Sequence, residues 1–89
     1  MASIYTFHSA CASRRGTKKY WRASDRMAEL RATYKGVYGT MTAERVKNLI
    51  ETARVGIPEC AKLSDEEFEV MLKSYYFSIF PSDEAAWRA

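Results

Sequence analysis

The chain has one histidine and two cysteines, and His8 and Cys11 stand one helical turn apart, close enough for an imidazole to act on a thiol. A nucleophilic pair also needs a third group to orient its base, and no Asp or Asn lies near these two in sequence. His8 therefore reads as a structural hydrogen-bonding residue, and Cys11 and Cys60 as small packed hydrophobes. The same side chains with a carboxylate would make part of a metal site, but neither CxxC nor HxxxH spacing is present. No catalytic residue, metal, cofactor or small-molecule substrate is expected.

The carboxylates Asp65, Glu66, Glu67 and Glu69 are the only dense acidic group. Acid–base catalysis would require one of them to be desolvated, whereas three fall in the first turn after Ser64, where acids complement the positive end of a helix. They read as capping residues. Gly36-Val37-Tyr38-Gly39 lacks the GK[ST] ending that lets a P-loop place a lysine and a magnesium ligand, and reads as a turn.

The functional signal lies in Arg14-Arg15-Gly16-Thr17-Lys18-Lys19-Tyr20-Trp21-Arg22, continued by Arg26. Lys and Arg neutralise phosphates and Trp offers a ring for bases or an apolar anchor. Arg14, Arg15, Lys18, Lys19, Trp21, Arg22 and Arg26 are accordingly the candidate contacts to nucleic acid or to an acidic protein surface. Ala32 and Gly36 fit the small-residue and turn positions of a helix-turn-helix, with Arg45, Lys47 and Asn48 as base readers. Thr42 and Arg45 then fall where buried aliphatics belong, so the motif is disfavoured.

These residues need elements to hold them, and the elements read as helices. Four glycines and two prolines in 89 residues are too few for an all-β fold with many hairpins. Residues 3–15 read as a helix with Ser3 as cap, Ile4, Phe7 and Cys11 on one face and Gly16 at the end; a strand is the alternative, since Ile4-Tyr5-Thr6-Phe7 favours β. Residues 18–35 form a second helix whose seam is Tyr20, Ala23, Met27, Leu30 and Tyr34, ended by Gly36. Thr40 or Thr42 caps a third over 42–55, with Val46, Leu49, Ile50 and Ala53 inward. The fourth, 65–80, has a capping box at Ser64 and Glu67 and a core face of Phe68, Met71, Leu72, Tyr75, Tyr76 and Ile79. Val70 and Phe77 fall on its opposite side. After Pro81, Ser82 caps a last helical turn whose Trp87 tucks back. The expectation is an all-α bundle of about four helices in a single domain spanning 1–89.

Composition bounds the partners. Net charge is +3, unevenly placed: residues 1–54 hold 11 Lys/Arg against 4 Asp/Glu, and residues 55–89 hold 3 against 7. An asymmetric field of this kind attracts anionic partners to one side. No apolar run approaches the length of a membrane span, no secretory leader opens the chain, and two widely spaced cysteines fit a reducing cytoplasmic setting. Two functions follow as expectations. The first is a non-enzymatic helical protein using its basic and aromatic face on nucleic acid or on a machine that handles it. The second is an inhibitor or adaptor of phage or mobile-element type that covers a partner protein through Tyr38, Val70, Phe77 and Trp87, with Val70 and Phe77 alternatively buried in a homodimer.

Overall fold

In a computed structural model, backbone is described from residue 2 onward and side chains from residue 18 onward. Among the described residues the fold is all helical: α1 (Ala2–Tyr38), α2 (Ala43–Gly56), α3 (Pro58–Ala61), α4 (Asp65–Met71), a π-helical turn (Leu72–Tyr76), α5 (Phe77–Ile79) and α6 (Pro81–Arg88). The all-α bundle expected from the periodicity is the architecture found. Two of the expected helices are one, because α1 runs unbroken through Gly16. The strand alternative for residues 3–15 is thereby overturned, while the expected contacts of His8, Cys11, Arg14 and Arg15 lie outside the described side chains.

α1 also runs past Gly36 and ends at Gly39. A glycine inside a helix costs only about 1 kcal/mol relative to alanine, so Gly36 weakens the helix without stopping it. Gly39 is the position that requires glycine: its φ is +81°, and its N–H donates to the Lys35 carbonyl at 2.8 Å, closing the helix with a left-handed residue. α2 then starts at Thr42, whose side chain accepts from the Arg45 N–H at 3.3 Å, and buries the inner stripe its spacing predicts, Val46, Leu49, Ile50 and Ala53. The short connection after it contains a helical turn, α3, with Pro58 at its start and Cys60 buried.

The capping box at the head of α4 is complete. The Glu67 N–H donates to Ser64 Oγ at 3.1 Å, and the Ser64 N–H donates to Glu67 Oε1 at 3.0 Å. Seven residues on, the helix widens, and the Phe77 N–H reaches back five residues to the Leu72 carbonyl. A π turn inserts one extra residue, which rotates everything beyond it by about 100° relative to a straight α-helix. The core face then runs Phe68, Met71, Leu72, Tyr76 and Phe77, all buried, with Phe80 packed beside them. Two expectations fail for this one reason. Phe77, placed on the back by seven-residue spacing from Val70, is 3% exposed, and Ile79, placed in the core, is 47% exposed.

α6 begins on Pro81, so Ser82 lies within the helix and is not its cap. α1 packs on α2, α3, α4 and the π turn, while α6 lies against α2 and α5. Ala23 and Met27 of α1 enter one apolar cluster with most of the buried residues of α2 to α5, and Tyr20, Leu30 and Trp87 pack on its edge.

Candidate functional site

On α1 the core direction is set by Ala23, Ser24 and Met27, all fully buried. At 100° per residue, Lys18, Trp21 and Arg22 point away from that direction, and all three are exposed. Lys19 and Arg26 fall between the two faces, on the shoulder that overhangs the next helices. This placement divides the cations that sequence spacing grouped together.

The shoulder residues turn to carboxylates of the same molecule. Lys19 Nζ binds Glu67; that hydrogen bond raises the lysine pKa and, together with the bond to the Ser64 backbone, lowers that of Glu67. Arg26 bridges Glu29 at 3.0 Å and Glu59 at 3.6 Å. Among the described residues, Lys18 and Arg22 make no ion pair. Trp21 is 48% exposed, and its ring meets Tyr75 of the π turn edge-on at 5.2 Å and 79° between planes. Tyr75 also touches Tyr20 at 5.6 Å. The outer face of α1 therefore presents a tryptophan braced by Tyr75, itself held by Tyr20, and flanked by two cations. Asp25 and Glu29, exposed and further along the same face, bound the basic region on its C-terminal side.

A second polar constellation, not anticipated from the sequence, is internal. Asp83 is 1% exposed and Tyr76 is fully buried. Arg31 donates to Asp83 through Nε at 2.9 Å and a terminal nitrogen at 3.2 Å, and the Tyr76 hydroxyl donates to the same carboxylate at 2.8 Å. The Arg31 guanidinium also lies 4.3 Å from the Phe80 ring centroid. Hydrogen bonding to Asp83 raises the Arg31 pKa; burial, and then the Asp83 charge, push the Tyr76 phenol well up. Both carboxylate oxygens are occupied by the protein itself, so the cluster ties α1, the π turn and α6 together. In sequence, Asp83 in Pro81-Ser82-Asp83-Glu84 looks like an ordinary first-turn acid. Only a cation one face away on α1 reveals it.

Of the other sequence candidates, Tyr38 is 52% exposed at the end of α1. Tyr34 lies 5.9 Å from its ring and the Arg45 guanidinium 4.5 Å. Arg45 further donates to the Thr40 carbonyl and hydroxyl, which engages it locally and weakens its proposed role as a base reader. Val70 is 45% exposed, but with Phe77 inside, the pair cannot form the back face drawn for a homodimer. Trp87 packs partly buried on the core and lines an apolar cleft with Ile50, Val55 and Phe68. The Cys60 thiol is buried and its pKa pushed up to about 11, chiefly by burial and then by the Glu59 charge, so it is a poor nucleophile. Among the described residues no three His, Cys, Asp or Glu side chains converge to hold a metal ion, and no helix is long and apolar enough to cross a membrane.

No family model, curated protein or solved structure matches the chain.

Proposed function

We propose that this is a small helical binding protein that engages nucleic acid through the outer face of α1. The observation that carries the reading is the division of the cations. Lys19 and Arg26 are bound to carboxylates, whereas Lys18 and Arg22 flank a half-exposed tryptophan braced by Tyr75. The sequence adds Arg14 and Arg15 to the same basic stretch. Phosphate neutralisation would supply the affinity, and its signature is salt dependence. With one phosphate each for Arg14, Arg15, Lys18 and Arg22, log affinity for duplex DNA falls against log salt with a slope of roughly −3 to −4. Charge reversal at Lys18 and Arg22 should weaken binding severely and flatten that slope, while reversal at Lys47 on α2 should leave it nearly unchanged. Absence of binding at low salt, or binding indifferent to Lys18→Glu with Arg22→Glu, would remove the proposal.

A second reading, an inhibitor or adaptor that covers a partner protein, is favoured by the apolar cleft between α2 and α6. Val55 at its rim is 79% exposed, and an apolar side chain of that exposure is a candidate anchor. A partner retained after nuclease treatment and lost on Val55→Glu would support this reading over the first.

A further inference from the structure

We infer that the outer face of α1 takes single-stranded nucleic acid, with Trp21 as the platform on which a base stacks; the inference rests on the nucleic-acid reading above and specifies its substrate. Duplex recognition by a helix uses side chains that reach base edges in a groove, typically Arg, Asn or Gln with paired hydrogen bonds. Beside Lys18 and Arg22 this face offers an indole instead, whose ring serves any base that is free of its partner. Aromatic stacking combined with a cationic track is the general chemistry of single-strand binding.

The surroundings of Trp21 suit that task. Its ring packs edge-on against Tyr75 at 5.2 Å, and Tyr75 is held in turn by Tyr20, so the indole is positioned before any ligand arrives. Little side-chain freedom remains to be lost on binding. Tyr75 reaches α1 from the π turn, the same irregularity that moves Phe77 inward. The cations sit at i−3 and i+1 from Trp21, within reach of the phosphates on either side of a stacked nucleotide. Asp25 and Glu29 would repel a strand running toward the C-terminal end of α1, which directs it toward the N-terminal end of the helix.

Fluorescence anisotropy with labelled twelve-nucleotide dT and rU strands, and with a twelve-base-pair duplex, tests this on the full chain at fixed low salt. Wild type should bind at least one of the two single strands more tightly than the duplex; the dT and rU arms show whether DNA, RNA or both are accepted. Trp21→Ala should weaken single-strand binding about 10- to 100-fold with the salt slope unchanged, because stacking is lost and no charge is removed. Trp21→Phe should restore most of that loss, and circular dichroism should show both variants as helical as wild type. Intrinsic fluorescence in a Trp87→Phe background, where Trp21 is the only indole, should be quenched on binding. Duplex binding that equals single-strand binding and is untouched by Trp21→Ala would overturn the inference and leave the nucleic-acid reading standing. Failure to bind any of the three probes would overturn both.

Discussion

At the scale of single residues, the decisive group is Asp83, a carboxylate almost without exposure that is satisfied by Arg31 and Tyr76. A buried ion pair adds little over a well-packed apolar substitute, but removing one partner leaves the other charged and unpaired. Asp83→Ala should therefore cost about 3–5 kcal/mol in urea unfolding, and Tyr76→Phe, which keeps the Arg31 bond, about 2 kcal/mol. The phenol also makes stability depend on alkaline pH. Its folded pKa lies above the unfolded value of about 10, so its contribution is complete below that pH and is lost as pH rises beyond it. Cys60 acts in the same direction, from an unfolded value of about 8.5 up to its folded value of about 11. The urea midpoint should fall between pH 8 and pH 11, and the part of the fall above pH 10 should shrink in Tyr76→Phe. An unchanged pH profile in that variant would show that the hydroxyl is not held as described. Ser24 is a contrasting case, with a fully buried hydroxyl that finds no partner among the described residues; nothing in the structure explains it.

At the scale of elements, the π turn at Leu72–Tyr76 has the largest consequences. It moves Phe77 into the core, turns Ile79 to solvent, and brings Tyr75 against Trp21. A helix straight through this region would make Ile79 the costly residue to truncate. The structure predicts the reverse: Phe77→Ala should cost about 3–5 kcal/mol by thermal or urea unfolding, and Ile79→Ser less than about 1 kcal/mol. Equal costs would contradict the extra residue. The spacing of Phe68, Met71 and Leu72 was legible because those residues precede the turn and keep an α period. Beyond it the period is broken by packing between helices, and nothing in Leu-Lys-Ser-Tyr-Tyr marks a widened turn, since all five residues are compatible with ordinary α-helix.

At the scale of the molecule, part of the uneven charge of the chain is used to assemble it. Four cations from the basic first part bind four acids from the acidic remainder: Lys19 with Glu67, Arg26 with Glu59, Arg31 with Asp83 and Arg54 with Asp65. The field available to an outside partner is smaller than the sequence count suggests, and on the outer face of α1 Lys18 and Arg22 remain without an ion pair among the described residues. Three of these pairs are partly solvent-exposed and contribute little each, while the pair to Asp83 is shielded from mobile ions. Raising NaCl from 0.05 to 0.5 M should therefore lower affinity for an anionic strand by orders of magnitude, yet shift the thermal midpoint by only a few degrees. A midpoint that falls steeply with salt would mean that the exposed pairs carry the fold.

Residue order alone states the helical class, the inner stripe of α2, the capping box at Ser64 and Glu67, and the basic and aromatic character of residues 14–26. These depend on spacing within one element, which the order of residues states directly. Packing between helices is what carries α1 through two glycines to Gly39, turns Phe77 inward, sets Asp83 between Arg31 and Tyr76, and leaves some cations outside. Each of those outcomes depends on what a neighbouring helix brings to within a few ångströms, and distances between elements far apart in sequence are set by packing.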